Sequence, residues 1–238
     1  GGGNFTQPLM KDNLGGLLLG GNQITSNRLI LSFTSGSPSP TPISGTPITE
    51  VSNLLAGPFN NMGVPGAKSY HLGASGYGNV AGVAAGLANP YYARMASSSS
   101  ASVIGDAVAQ SPTFISLWIG NNDILGFATS GGVGIDQKGN LNPATYGGND
   151  ITDPNVFASV YNSLLTALSA NGTKKGIVAN LPSVATLPYF TTVPYNAIPL
   201  DADTAAMLNQ AFAPYNGGLL QLQGMGAISA AEVSRRTV

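Results

Sequence analysis

The second half of the chain alternates short apolar runs with stretches that are apolar on one side only. The run TFISLWI (113–119) is apolar on both alternating faces apart from one serine, which predicts a central strand covered on both sides. The run KGIVANLP (175–182) predicts a second buried strand. Helical spacing dominates residues 153–172 and residues 201–222, and Pro214 is expected to kink or end the second helix. Strands that alternate with helices predict parallel pairing and an α/β fold.

The clearest helix prediction covers residues 153–172. Asp153 stands where an N-cap is expected, Pro154 occupies the first helical position, and Gly172 is expected to terminate the helix. Helical spacing places seven apolar residues on one face: Val156, Phe157, Val160, Tyr161, Leu164, Leu165 and Leu168.

The first half of the chain carries weaker signals. Branched apolar residues predict a short strand at 28–33, and the Pro- and Ser-rich residues 34–49 predict an extended surface excursion. Residues 50–57 are expected to form one or two helical turns. The small residues of 73–95 suggest a loop leading into a closely packed helix. Serines that precede apolar residues at helical spacing predict a short amphipathic helix within 97–110.

Charged residues are sparse, at 8% of the chain where about 25% is typical. The net charge of −1 leaves no basic footprint for nucleic acid or for an anionic membrane surface. The chain has no cysteine, which excludes disulfides, and its single histidine, His71, excludes a metal site built from several histidines. We therefore expect no metal, no cofactor and no nucleic-acid partner. The longest apolar runs are too short for a membrane span.

Three polar clusters are expected at the carboxyl ends of strands, where α/β proteins place their functional loops. The stretch SLWIGNNDILGF contains Asn121, Asn122 and Asp123 directly after an apolar strand. The other two clusters surround Gly66 and Ser183. These residues are the candidates for chemistry.

Two of these clusters resemble sequence blocks of the SGNH hydrolases, which are also called GDSL esterases and lipases. The stretch GNND (120–123) resembles the family's third block, Gly-x-Asn-Asp, and Gly66 in NMGVPGA (61–67) matches the glycine of the second block. The stretches ANLPSVATLP (179–188) and GGGNFTQPLMKDNLGG (1–16) support the resemblance, which is closest to exported members from Bacteroidota-type bacteria.

The resemblance implies an ester hydrolase (a lipase, an esterase or a carbohydrate deacetylase) that acts through an acyl-enzyme. It implies that the backbone N–H of Gly66 and the side-chain amide of Asn122 stabilise the oxyanion, while Asp123 positions the block. The expected substrate is an ester of a lipid or an acylated sugar. The implied fold is one domain over 1–238, a three-layer α/β/α sandwich with a mostly parallel sheet and loop or hairpin insertions.

Two family blocks have no match in the sequence. The Gly-Asp-Ser-Leu block that carries the nucleophile is absent, and so is the Asp-x-x-His block, because His71 follows Lys68 rather than an aspartate at that spacing. We therefore expect the nucleophilic serine and the catalytic Asp and His to lie in flanking sequence, with the domain incomplete at both ends. The resemblance also implies export to the periplasm, outer membrane or cell surface. A lipoprotein anchor is one way in which such an exported protein is attached.

Other interpretations stay open. GNND is also a common turn sequence. His71 is a candidate for a structural, half-buried residue or for a residue that lines the substrate cleft. Ser75 in GASGYG (73–78) is an alternative nucleophile. The whole chain is alternatively a non-catalytic, hydrolase-like subunit that binds membrane-associated protein partners in an outer-membrane or surface assembly.

Overall fold

The computed structural model describes residues 4–34, 39–191 and 200–238. The chain divides into two compact units, Gly1–Val184 and Ala185–Val238, and each is described by itself. Helices and small sheets of both pairing types make the fold mixed α/β. The single domain expected from the sequence stays a prediction.

The strands of the first unit are short and form three two-stranded sheets among the described residues. The pairs β1–β2 and β3–β4 are antiparallel, and the pair β5–β6 is parallel, with these bounds: β1 Leu18–Leu19, β2 Asn22–Gln23, β3 Leu29–Ser32, β4 Ser39–Pro42, β5 Phe114–Leu117 and β6 Lys175–Val178. The strand predicted at 28–33 is confirmed as β3, and the excursion at 34–49 contributes its partner β4.

Helices of the first unit connect and cover these strands. Their bounds are α1 Val80–Val83, α2 Pro90–Ala93, α3 Val103–Ala109, α4 Asn122–Thr129 and α5 Pro154–Leu168, with 3-10 helices at Ser69–Gly73, Pro143–Thr145 and Val184–Thr186, the last of which runs into the second unit. Ser102 caps α3 through its bond from Gly105 N–H, which confirms the helix predicted within 97–110. The helix expected within 73–95 is divided into the short helices α1 and α2.

The parallel pairing of β5 with β6 confirms the strand–helix–strand prediction. Phe114 is paired with Lys175 and Leu117 with Val178, and the connection between the strands runs through α4 and α5. Because the two strands are parallel, the segments that follow them leave the same edge of the sheet.

Helix α5 begins as its sequence predicts. The Asp153 carboxylate accepts the backbone N–H groups of Asn155 at 2.8 Å and Val156 at 3.0 Å. Pro154, at the first helical position, has no N–H group and so needs no acceptor. The helix ends at Leu168, before the predicted Gly172, because Ala170 and Asn171 adopt positive φ angles of 47° and 57°. Its buried positions all belong to the predicted apolar face: Val156, Leu164 and Leu168.

Strand β5 is covered on one face only, so the prediction of a strand buried on both sides is wrong for the described residues. Ile115 and Leu117 are buried against α5. Phe114 and Trp118, on the other face, are 63% and 64% exposed. Strand β6 is exposed along its whole length, which also contradicts its predicted burial. The physical reason is that α3 and α5 both pack on the same side of the pair.

Residues 50–57 form no helix, contrary to the sequence expectation. Glu50 pairs instead with Leu18 in an isolated bridge, and its carboxylate accepts the N–H groups of Gly20 at 3.1 Å and Gly21 at 3.0 Å. Val51 N–H donates to the Leu18 carbonyl at 2.8 Å. These bonds join the segment to the β1–β2 hairpin, and Asn53 N–H donates to the Glu50 carbonyl at 3.3 Å, which closes a single turn in place of a helix.

The second unit consists of helices in its described part, α6 Pro188–Thr191, α7 Ala202–Gly224 and α8 Ala230–Arg236. Asp201 caps α7 as predicted, by accepting Thr204 N–H at 2.7 Å. The helix continues through Pro214, so of the two expected effects the ending of the helix is wrong, while a kink at this proline stays a prediction. Leu219 of α7 and Val233 of α8 are the buried side chains of this unit.

Candidate functional site

The turn between β5 and α4 requires a glycine at position 120. Gly120 has φ of +117°, a region that side chains rarely adopt. A Cβ atom there would lie 2.8 Å from Cε2 of Phe157 and 3.0 Å from Cδ1 of Leu181. Leu181 follows β6, so the ends of both parallel strands meet at this glycine. The positive φ angle and the lack of space for a Cβ atom therefore explain why the first residue of GNND is a glycine.

Asn122 begins helix α4 and reaches across to the segment around Gly66. Its Nδ2 donates to the Ala67 carbonyl at 2.9 Å, although 55 residues separate the two in sequence. An amide nitrogen carries two hydrogens, so one remains after this bond is made. Asn121, the residue before it, makes no capping bond to the helix with its side chain. Of the two neighbouring asparagines, Asn122 is thus the one that the fold places against the glycine segment.

Gly66 occupies a tight turn rather than the end of a strand; no strand lies within residues 58–72, all of which are described. Ala67 N–H donates to the Val64 carbonyl at 3.2 Å, Pro65 precedes the glycine, and Gly66 has φ of +76°. Proline followed by a positive-φ residue is the signature of a type II turn. A Cβ on Gly66 would meet nothing within 4 Å, so its φ angle, not crowding, selects glycine.

Asn89 fixes the orientation of the peptide that carries the Gly66 N–H. Its Nδ2 donates to the Pro65 carbonyl at 2.9 Å and to the Tyr77 hydroxyl at 3.1 Å. Its Oδ1 caps α2 by accepting the N–H groups of Tyr91 and Tyr92. In a trans peptide the N–H points opposite to the C=O, so the Gly66 N–H points away from Asn89.

Sequence reasoning missed Asn89. An Asn-Pro pair before apolar residues is a signal for a helix start, and it correctly describes this cap. The Asn-Pro pair gives no signal for the bond from Asn89 to the Pro65 carbonyl. That contact depends on how two residues 24 positions apart come together in the fold.

Asp123 binds the 3-10 helix Ser69–Gly73. Its Oδ2 accepts the Ser69 N–H at 2.8 Å, and its Oδ1 accepts the Ser69 hydroxyl at 2.7 Å. Asp123 is 3% exposed and Ser69 is fully buried. Each oxygen of the buried carboxylate therefore has a hydrogen-bond donor from Ser69. The segments of Gly66 and Asn122 are thus joined at two neighbouring points.

Lys68 joins a third segment to the same place. It is 4% exposed, and its Nζ donates to the backbone carbonyls of Asp150 at 2.8 Å and Gly147 at 3.3 Å. Burial lowers the pKa of Lys68, while the nearby charges of Asp123 and Asp150 oppose that shift. The predicted loop 130–150 is thereby fastened to the segment that follows Gly66.

Asp150 orders this loop from within. Its carboxylate accepts bonds from Gln137 Nε2 at 2.6 Å, Gly147 N–H at 2.7 Å and Ile135 N–H at 2.9 Å. These donors, the Gly147 N–H first, lower the pKa of Asp150. The loop therefore has a defined shape although it contains little regular secondary structure.

His71 is held in its neutral form. Its Nδ1 accepts the Lys68 N–H at 3.1 Å, and its ring stacks on Tyr77 with centroids 4.6 Å apart. An acceptor nitrogen cannot carry a proton. Burial, and then the charge of Lys68, keep the pKa of His71 below its ordinary value, against a smaller opposing effect of Asp123.

We expect the free energy of unfolding to fall as the pH drops below about 6.5, because the unfolded chain then protonates His71 while the folded chain resists it. The loss should continue down to the lowered pKa of the folded state. Urea unfolding of the wild type and of His71→Gln from about pH 8 to pH 5 measures the effect. His71 is the only histidine, so the difference between the two curves isolates it. Parallel curves would contradict the prediction.

A cavity of about 310 Å³ lies beside Asn122. Its walls come from residues 61–64 and Ala67, from α3, and from the end of β5 through Asn122. Val64 and Ala67 line it on either side of Gly66 in the sequence. Among the described residues, Ser116 is the only one in the lining that bears a hydroxyl, and the lining contains no Asp, Glu, His or Lys. The cavity thus offers hydrogen-bond donors but no nucleophile with an adjacent base among the described residues.

Ser75 lies elsewhere and its hydroxyl has another partner. Its Oγ donates to the Ser100 carbonyl at 2.8 Å. Ser75 and His71 both line a separate cavity of about 320 Å³, with Asn89 and Tyr77 in the same wall. No hydrogen bond joins Ser75 to His71 in the structure, so the pairing that an activated serine needs is not formed.

Across residues 4–34, 39–191 and 200–238, no group of three His, Asp or Glu side chains is placed to hold a metal ion. No helix in the same ranges is both long enough and apolar enough to cross a membrane. No protein-family model, curated protein or solved structure matches the chain.

Proposed function

We propose that this chain supplies the oxyanion-binding part of a serine ester hydrolase of the SGNH type. The observation that carries the proposal is the bond from Asn122 Nδ2 to the Ala67 carbonyl, at 2.9 Å. It brings the amide of one family-like block beside the turn that holds the glycine of the other. Asn122 lines the cavity together with Val64 and Ala67, which lie on either side of Gly66 in the sequence. Under this proposal the complete domain is a three-layer α/β/α sandwich, with strands and helices beyond those described here.

The proposed chemistry is acyl transfer through a tetrahedral intermediate. The carbonyl oxygen of the ester becomes an oxyanion, and fixed donors must already point at its position. The free hydrogen of Asn122 Nδ2 and the N–H of Gly66 are the donors from this chain. Asn89 holds the Gly66 peptide in one orientation before the substrate arrives, so no reorganisation is needed during the reaction.

The nucleophile and the base belong, in this proposal, to sequence that flanks the chain in the native protein. The serine would attack from the cavity side, and a histidine with its aspartate would accept the serine proton and later protonate the leaving alcohol. The apolar walls contributed by Val64, Leu72 and Ile104 suit an acyl chain or an acyl group on a sugar. Export to the cell envelope or surface is part of the same proposal.

Labelling with a fluorophosphonate probe tests the proposed mechanism. We expect the native protein to be labelled on one serine outside residues 1–238 and to hydrolyse short p-nitrophenyl esters, and we expect heat-denatured protein to remain unlabelled. Peptide mapping identifies the labelled residue. A label on Ser75 or Ser116 would contradict the proposed source of the nucleophile.

The second candidate is a binding subunit that retains the hydrolase architecture. The absence of an acid or base from the lining of the cavity beside Asn122, among the described residues, favours it. A folded native protein that shows neither labelling nor ester hydrolysis would replace the enzymatic proposal with this one.

A further inference from the structure

A second cavity, of about 470 Å³, lies on the other side of the 61–65 segment. Residues 7–10 form one wall and helix α2 with the residues after it forms another. Asn61 and Gly63 line both this cavity and the one beside Asn122. We call it the arginine cavity, because Arg28 and Arg94 both line it.

Arg94 is a buried cation that pairs with no carboxylate of the described residues. It is 3% exposed, and its Nη2 donates to the Leu9 carbonyl at 2.7 Å. Its Nη1 contacts only the sulfur of Met10, at 3.2 Å, and a thioether is a weak acceptor. Its buried Nε has no hydrogen-bond partner in the structure. Within the described part of the chain, the ion pairs formed by arginine both use Glu232 and neither involves Arg94.

Arg28 adds a second guanidinium at the exposed rim of the arginine cavity. Its Nε donates to the Asn13 carbonyl at 2.7 Å, which holds the side chain in place. No Asp or Glu from the described ranges lines the cavity. The rest of the lining is largely apolar and includes Pro8, Leu9, Pro65, Tyr91 and Met95.

We infer that the arginine cavity binds a carboxylate that carries a short apolar chain. A guanidinium presents donors in a planar fork that matches a carboxylate, and a buried charge is costly until an anion or other strong acceptor accompanies it. The apolar lining buries the chain while the two arginines hold the head group. A bare anion such as inorganic phosphate would leave that lining uncovered.

The position of the cavity relates this ligand to the proposed reaction. Ester hydrolysis releases a carboxylic acid, and the two cavities share a wall at Asn61 and Gly63. The identification of the ligand as the acid product, or as an acid group on the substrate, rests on the proposed function. The binding itself does not, because it requires only Arg28, Arg94 and the apolar lining.

Isothermal titration of the native protein with sodium hexanoate tests the inference without any measurement of activity. We expect one saturable site, with affinity that weakens as salt is raised. Arg28→Gln should weaken binding about tenfold, and Arg94→Lys, which keeps the charge but loses the fork, by at least as much. Arg28 is exposed, so its variant tests the site even where Arg94→Lys fails to fold. Arg235→Gln, which removes an exposed arginine of the second unit, is the matched control and should bind hexanoate as the wild type does.

Two further ligands measure separately what the carboxylate head group and the apolar chain contribute to the affinity. Hexanol, which has the chain without the charge, and inorganic phosphate, which has charge without the chain, should both bind at least tenfold more weakly than hexanoate. The inference is overturned when hexanoate fails to bind at millimolar concentration, when Arg28→Gln binds it as the wild type does, or when hexanol or phosphate binds equally well. Loss of ester hydrolysis with hexanoate binding intact would instead remove the proposed function alone.

Discussion

The Asn122→Ala variant of the native protein is expected to hydrolyse esters about 100- to 1000-fold more slowly than the wild type, through a lower kcat. The free hydrogen of the Asn122 amide would bond to the oxyanion more strongly than to the ground-state carbonyl. Its removal therefore raises the barrier while substrate binding changes little. Steady-state kinetics with a p-nitrophenyl ester measure kcat and KM separately.

Asn121→Ala is the matched control for this prediction. Asn121 lines the same cavity one residue earlier, but its side chain does not cap α4, and the bond to the Ala67 carbonyl is made by Asn122. Its variant should keep kcat within about threefold of the wild type. Urea unfolding of both variants excludes a loss of fold, since the lost bond to Ala67 contributes only about 1 kcal/mol. Equal losses in the two variants, or an Asn122→Ala enzyme with unchanged kcat, would remove the proposed donor role.

The Asp123→Ala variant is expected to lose about 3 kcal/mol in its free energy of unfolding. The substitution removes a charged acceptor that two buried donors of Ser69 share, at 2.8 Å and 2.7 Å. Both donors would then be buried without a partner, because Ser69 is fully buried. Urea unfolding at neutral pH measures the loss, and activity is not needed for this test.

A double-mutant cycle with Ser69→Ala isolates the interaction. Ser69→Ala keeps the backbone donor and loses only the hydroxyl, so it should cost about 1–2 kcal/mol, and the two changes together should cost less than their sum. Asp136→Ala, which removes an exposed aspartate, is the control and should change stability by no more than about 0.5 kcal/mol. Additive losses at Asp123 and Ser69 would show that the two side chains do not depend on each other.

Local signals in the sequence account for the elements that were predicted well. Caps and periodicity lie within a few residues of each other, so Asp153 with Pro154 defines the start of α5, and Ser102 that of α3. A short run that is apolar on both faces likewise identifies β5, but its residues cannot show which of those faces is covered. They do not report whether a second layer is present, and for that reason the burial of Phe114 and Trp118 was overestimated.

The candidate site is harder to predict because its contacts join distant parts of the chain. The bonds of Asn122 to Ala67 and of Asp123 to Ser69 span 55 and 54 residues, and that of Lys68 to Asp150 spans 82. No periodicity records such pairs. Gly66 and Asn122 were predicted to lie together only because both match blocks of one family. That resemblance contains no information about Lys68 or Asn89.

The two roles of Asn89, as the cap of α2 and as a donor to the Pro65 carbonyl, limit what evolution or design can place at that position. Serine, threonine and aspartate cap helices as well as asparagine does in general. Aspartate has no donor when ionised, and the single O–H of serine or threonine cannot make both of the bonds that Asn89 Nδ2 donates, to the Pro65 carbonyl and to the Tyr77 hydroxyl, while the same side chain caps α2. A helix start that elsewhere accepts several residues is therefore restricted here to one, by a turn that lies 24 positions earlier in the chain.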